Sequence, residues 1–229
     1  MRQSIMLGLL LGAGLIPGAW GEEVDHTLSL SVVQVRAYPG PGKMLYGSGV
    51  VVGPERVVTN CHVVRSALKV AVSKGPMLYP AVTQQADPRH DLCLLTTPNI
   101  PFPVAQLGSA EKLAVGQPVY FYGYPRAIGI AFSAGKVQAL HPFDGGRVIE
   151  TTADFTLGAS GGGVFDGAGK LVGLATFLTA GHAGGYYAIP ADWISGLSSR
   201  ETRKIEPLSG LSFWEDAAAL PAFLKPPGK

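Results

Sequence analysis

The chain is written in short apolar runs separated by glycine and proline. Over Leu28–Tyr38 (LSLSVVQVRAY) apolar and polar residues alternate, the period-two signature of a half-buried strand, and PGPGK closes the run. YGSGVVVG and RVVTN read as the arms of a hairpin, followed by LKVAV, YPAVTQQAD and DLCLLTT. A proline-rich connector runs from Thr97 to Gly108. After it come QPVYFYGYP, IAFSAGKVQAL, RVIETTA, GGVFD, KLVGLATFL and GYYAIP. Many short β-rich runs with turn residues between them predict an all-β protein. The connector divides an N-terminal half, about residues 25–96, from a C-terminal half, about 110–190. Beyond Pro190, ADWISGLSSRETRK predicts a short C-terminal helix, with Asp192 near its start and Arg and Lys in its last turn. Residues 201–229 read as a tail, docked or trailing.

The N-terminus breaks this pattern. Arg2 is followed by an apolar run from Ile5 to Ile16 and then by small residues at Ala19 and Gly21. This is a secretory leader pattern, with cleavage expected after Gly21. The run falls short of the roughly 20 residues that span a bilayer, so no membrane span is expected in the mature chain. A chain starting near Glu22 outside the cytoplasm has its two cysteines, Cys61 and Cys93, where pairing is allowed. Composition fits the β reading: 31 glycines and 18 prolines in 229 residues suit tight turns, and 15% charged residues is low. A net charge of +2 carries no nucleic-acid footprint, so no nucleic-acid partner is expected.

Three segments place polar residues where the pattern expects apolar ones: TNCHVV with His62, RHDLCLL with Asp91, and GASGG with Ser160. Each type has a chemical reason. A serine hydroxyl is a weak nucleophile until a base takes its proton. Histidine is the side chain suited to that near neutral pH. A buried carboxylate fixes the imidazole tautomer and stabilises its cation. The glycines around Ser160 let the backbone bend, so that the N–H groups of Gly158 and Ser160 could form an oxyanion hole. Residues Gly158–Gly162 also satisfy G-x-S-x-G, the nucleophile elbow of α/β-hydrolases. That elbow opens a helix and precedes its acid and base, whereas here strand and turn residues follow.

On these segments the sequence resembles the trypsin-like serine proteases of the HtrA type, the bacterial branch of the chymotrypsin fold. The matching stretches are GSGVVVGPERVVTNCHVV, HDLCLLTT, VYFYGYP, IETTADFTLGASGGGVFDGAGKLVGLATF and YYAIP, within about Val32–Ile194. The resemblance implies two antiparallel six-stranded β-barrels with the site in the cleft between them. It also implies a protein or peptide substrate and no cofactor. His62 would be the general base, Asp91 the orienting acid, and Ser160 the nucleophile, with oxyanion donors from Gly158 and Ser160. The protease domain would occupy residues 22–200. The chain departs from the family pattern in Ala159, where an asparagine is usual, and in the length past YYAIP, which leaves no room for a PDZ domain. The position before the serine that pairs with a new N-terminus in digestive trypsins is also Ala159, so that mode of activation is excluded.

Further readings follow from the resemblance. Asp154, six residues before Ser160, stands where trypsins carry the base of the primary pocket and would select Lys or Arg. Phe155 and Tyr186 argue instead for an apolar pocket, and Thr176 completes the pocket set. Asp87 competes with Asp91 but sits before a proline in turn context. Cys93 lies two residues past Asp91 on one strand face, so if Asp91 reaches His62 a Cys61–Cys93 disulfide would clamp acid to base. The alternatives are two buried thiols, or a metal site from Cys61, His62, His90 and Cys93, whose spacing is poor for zinc. His26, His141 and His182 read as loop residues, and Trp193 and Trp214 as packing anchors. A protease-fold binding module without activity, or one activated by a partner, is the competing functional reading.

Overall fold

The computed structural model describes residues 25–179 and 185–225. The leader read over residues 1–21 and His182 lie outside these. The first sheet comprises β1 (Val32–Gly40), β2 (Lys43–Gly53), β3 (Arg56–Thr59), β4 (Lys69–Lys74), β5 (Met77–Pro80), β6 (Thr83–Asp87) and β7 (Leu92–Thr96). The second comprises β8 (Pro118–Gly123), β9 (Ala131–Phe143), β10 (Gly146–Thr151), β11 (Gly163–Asp166), β12 (Leu171–Leu178) and β13 (Tyr186–Pro190). A two-residue β14 (Arg203–Lys204) returns to the first sheet beside β6. Residues 28–31, read as strand, instead belong to a 3-10 turn over His26–Ser31 that precedes β1.

The second sheet closes into a six-stranded antiparallel barrel in the order β10-β13-β12-β11-β8-β9. The first, expected as a matching six-stranded barrel, is an open eight-stranded sheet in the order β14-β6-β7-β3-β2-β1-β4-β5. Two features account for the difference. β14 adds a strand outside β6, and Pro80, which has no N–H for a ladder, ends β5 before it can pair with β6. The curl is completed by the connecting chain: Ala81 N–H donates to Val70 O and Val82 N–H to Thr96 O, both at 2.9 Å.

Period-two patterning sorts the side chains into three cores. Val33, Val35, Val51, Val57, Val72 and Leu95 fill the first sheet. Phe121, Val137, Ile149, Val164, Val172 and Ala188 fill the second. Residues of the opposite parity, among them Val32, Val50, Leu92, Tyr122, Phe165 and Leu174, meet between the two sheets. Burying one such side chain contributes about 1.5–3 kcal/mol, so this shared layer fixes the relative placement of the sheets.

The predicted C-terminal helix is present as a 3-10 helix over Ala191–Ser199. Its buried residues, Ala191, Ile194 and Leu197, repeat every three positions, the 3-10 period. It stops at Arg200, so the basic residues expected in its last turn lie beyond it. Asp192 does not cap it; its carboxylate takes the Ala110 N–H (2.7 Å) and the Ser109 hydroxyl. His26 and His141 are not loop residues. His26 lies in the first 3-10 turn with its ring 5.2 Å from that of Phe132. His141 is on β9, bonded to Glu150 Oε2 at 2.7 Å and stacked on Phe223.

Candidate active site

Thr59 ends β3, and the chain turns at Asn60 into a single helical turn, α1 (Cys61–Val64). The first N–H groups of such a turn have no partner within it. Asp91 supplies both: its backbone oxygen accepts from Cys61 N–H (3.2 Å) and its Oδ1 from His62 N–H (2.8 Å). Its other oxygen, Oδ2, lies 2.6 Å from His62 Nδ1. The carboxylate is fully buried, while the His62 ring keeps 21% of its exposure. Asp91 can do this because its φ is +56°, left-handed, a conformation aspartate tolerates better than most residues. It therefore sits in the turn before β7 rather than on the strand. Asp87, the competing carboxylate, is occupied by His90 (2.9 Å) and Arg200.

Cys61 and Cys93 form a disulfide. Strand-face alternation from Asp91 is not what brings them together, since Asp91 is off the strand. Thr59 pairs with Cys93 across β3 and β7, and the turn into α1 then sets Cys61 over Cys93. Closing a loop of this size stabilises the fold by about 3–4 kcal/mol in the chain-entropy picture. The pairing also overturns the alternative metal set, because neither sulfur is a free thiolate. Among the described residues no cluster of three or more His, Cys, Asp and Glu could hold a metal ion.

Ser160 comes from the second sheet, in the loop between β10 and β11, and a strand rather than a helix follows it. Its Oγ lies 3.4 Å from Thr176 O on β12. The loop is tied to the first sheet by Ser48 of β2, a residue that sequence reasoning passed over. Ser48 N–H donates to Ser160 O (2.7 Å) and Ser48 Oγ donates to Gly158 O (2.9 Å) while accepting from Tyr124 N–H (2.8 Å). This close approach explains Gly161: a Cβ there would lie 2.1 Å from Ser48 O. Asn60 makes the second tie, its Nδ2 reaching Asp91 O (3.0 Å) and Thr176 Oγ1 (3.1 Å). Both residues are fully buried polar groups on or beside strands, and that mismatch was the available signal.

The backbone at Gly158 has φ +89°. Leu157 O accepts from Arg126 N–H at 2.8 Å. In a trans peptide the carbonyl and the next N–H point in opposite directions, so the Gly158 N–H is turned away from the Arg126 segment. That segment is itself strained, with Arg126 and Ala127 at φ 53° and 58°. Beside the loop opens a cleft of about 340 Å³ with Phe121, Phe132, Phe155, Leu178 and Tyr186 on its apolar walls and Ser133, Asp154 and Thr156 as its polar lining. Asp154 is on its exposed side, held by Ser133, which donates to its carboxylate and accepts its N–H (3.0 Å). Thr176 does not line this cleft. Its side chain is buried, donating to Leu174 O (2.7 Å) and accepting from Asn60.

Besides His62, the Asp91 carboxylate has a side-chain donor from the C-terminal segment. Trp214 Nε1 donates to Asp91 Oδ2 at 3.0 Å, and the indole meets the His62 ring edge-on at 5.4 Å. Trp214 does pack, as expected, but it also bonds the candidate acid.

Residues 47–174 match the model of the trypsin-like peptidase domain. The chain belongs to the trypsin-like peptidase family. It is 30% identical to the serine protease Rv3671c of Mycobacterium tuberculosis over 156 residues, covering 63% of this chain and 39% of that protein. It is 32% identical to the periplasmic serine endoprotease DegP of Escherichia coli over 170 residues, covering 69% of this chain and 36% of that protein. The chain thus spans less than two fifths of the length of these curated relatives. The crystal structure of Rv3671c protease in its active form superposes with a TM-score of 0.70 at 26% identity, over 81% of this chain and 86% of that one. As a trypsin-like peptidase, the chain has its nearly all-β architecture and its two-sheet arrangement from the family fold.

Proposed function

We propose that this trypsin-like peptidase is a serine endopeptidase that acts outside the cytoplasm on protein or peptide substrates. Asp91, His62 and Ser160 would form its triad. The observation that carries the reading is the closed Asp91–His62 pair, built on one sheet and tied to the other through Ser48, which holds the Ser160 loop, and through Asn60, which reaches Thr176 on β12. Asp91 holds the proton on His62 Nδ1, which leaves Nε2 free to accept one. Ser160 Oγ adds to the scissile carbonyl carbon as its proton passes to His62 Nε2. The C–N bond then breaks, and His62 returns the proton to the leaving amine. Water repeats the sequence at the acyl-enzyme, releasing the acid and restoring Ser160. The N–H groups of Gly158 and Ser160 would take the oxyanion. The bond from Arg126 N–H to Leu157 O, which turns the Gly158 N–H the opposite way, supports the first of these.

Location outside the cytoplasm is supported by the leader pattern, the disulfide and the periplasmic relative named above. Among the described residues no helix is long and apolar enough to cross a membrane. The protease domain read over residues 22–200 is extended in this reading past residue 200, because β14 pairs with β6 of its first sheet. The aromatic walls of the cleft, Phe121, Phe132, Phe155 and Tyr186, favour an apolar side chain before the scissile bond. Asp154 is exposed and engaged by Ser133, so water screens the charge that would select a basic one.

The deciding experiment is labelling by an active-site fluorophosphonate. The chain starting at Glu22 is expected to be labelled, and Ser160→Ala and His62→Ala not. A folded wild type that resists labelling would favour the inactive binding module. A peptide library then tests the cleft: cleavage after apolar residues should exceed cleavage after Lys or Arg at least about tenfold, one extra buried methylene or ring being worth that much. A preference for Lys or Arg that Asp154→Asn abolishes would overturn the apolar reading.

A further inference from the structure

Residues 201–225, read from the sequence as a tail that docks or trails, are docked: they are pinned to the residues that flank the candidate base and acid. Leu208 N–H donates to Arg65 O (2.7 Å), three residues past His62. The Arg65 guanidinium forms a two-pronged ion pair with Glu215, and Glu215 Oε2 also takes the Ser212 N–H (3.0 Å). Phe213 N–H donates to Arg89 O (3.0 Å), two residues before Asp91, and the Phe213 ring is buried against Phe143 at 4.6 Å. Between these anchors stands Trp214. It is clamped on three sides at once: stacked on Phe177 (5.0 Å, 16°), edge-on to His62, and bonded through Nε1 to Asp91 Oδ2.

We infer that Trp214 is a positioning residue for the reaction, so that the C-terminal segment is an integral part of the active site. The inference rests on the triad reading above. The carboxylate of Asp91 is fully buried and meets three donors: the His62 N–H, the His62 Nδ1–H and the indole N–H. The first two come from the histidine being oriented. The third is independent of it and holds Oδ2 against the base as the imidazole charges. The indole N–H suits this because it can only donate, so it cannot compete with His62 for the proton. The ring also excludes water from the Asp91–His62 bond, which strengthens it. Trp214 acts through the Asp91–His62 pair, by its bond to Asp91 and its edge contact with the His62 ring.

The test uses the full mature chain with Trp214→Phe, which keeps a stacking ring and removes the N–H, and Trp214→Ala, which removes both. Fluorophosphonate labelling of the wild type comes first. No labelling of the wild type would remove the triad reading and this inference together, whereas equal labelling of wild type and Trp214→Phe would remove this inference alone. The expected result is a fall in kcat of about ten- to a hundredfold in Trp214→Phe, the range of one hydrogen bond to a charged group, with KM changed less than about twofold. The proton shared by His62 and Asp91 should shift its low-field NMR resonance, which a merely structural residue would not move. Trp214→Ala should lose more of kcat. An unchanged kcat and an unmoved resonance in Trp214→Phe would mean that the indole only packs. A rise in kcat/KM in Trp214→Ala would mean that it covers the cleft. Either outcome overturns the inference.

Discussion

Replacing Asp91 with asparagine should leave the chain folded and lower kcat about ten-thousandfold. The reason lies in what Asp91 accepts. Its two oxygens take three N–H donors and there is no acceptor among them: the backbone and Nδ1 of His62, and Trp214 Nε1. Asparagine has one oxygen and one NH2 group. If the NH2 takes the Oδ2 position, it faces the indole N–H and obliges His62 to present a bare Nδ1. The ring proton then sits on Nε2, where it blocks transfer from Ser160. If the NH2 takes the Oδ1 position, it faces the His62 backbone N–H, and the first turn of α1 loses its cap. Either arrangement leaves a buried donor unmet, at about 1–3 kcal/mol. The melting temperature should therefore fall by several degrees, at about 2–4 °C per kcal/mol for a chain of this size. Steady-state kinetics and a thermal melt on one preparation check both parts. A variant that retains more than about a tenth of wild-type kcat would show that Asp91 is not the orienting acid.

How much of this was legible beforehand depends on the range of the contact. The strands were readable because period-two patterning is local, and the strand that follows Ser160 was enough to set aside the hydrolase elbow. The open first sheet was not readable, because closure turns on where Pro80 stops one ladder and where a two-residue strand from the far end of the chain attaches. The Cys61–Cys93 disulfide was expected by the wrong route. Alternation along a strand assumed that Asp91 lies on it, whereas its left-handed φ places it in the preceding turn. Ser48, Asn60 and Trp214 join segments 112, 116 and 123 residues or so apart in sequence, respectively to Ser160, Thr176 and Asp91. No spacing rule connects such pairs. The buried polar character of Ser48 and Asn60 was visible only as two polar letters in apolar runs. Trp214 looked like any aromatic residue in a tail, since the hydrogen bond that distinguishes it depends on how that tail docks.

Gly158→Ala should reduce kcat by about a hundred- to a thousandfold, the cost of one lost oxyanion donor, with KM affected far less. Gly158 holds φ +89°, which puts an L side chain in a poor conformation, and its added Cβ would lie 2.7 Å from Arg126 N and 3.0 Å from Tyr124 O. Neither neighbour can yield easily. Tyr124 N–H is bonded to Ser48 Oγ, and Arg126 N–H is bonded to Leu157 O. The cheapest escape from the left-handed φ is rotation of the Leu157–Gly158 peptide. The same rotation swings Leu157 O off Arg126 and turns the N–H at position 158 out of the place proposed for the oxyanion. Ser160, His62 and Asp91 would stay where they are, because Ser48 N–H still holds Ser160 O and the disulfide still holds α1. The variant thus separates the hole from the triad. Fluorophosphonate labelling should slow along with kcat, and the Asp91–His62 proton resonance should stay in place. A kcat within about threefold of wild type, in a variant that melts normally, would mean that the 158 N–H takes no part in stabilising the transition state.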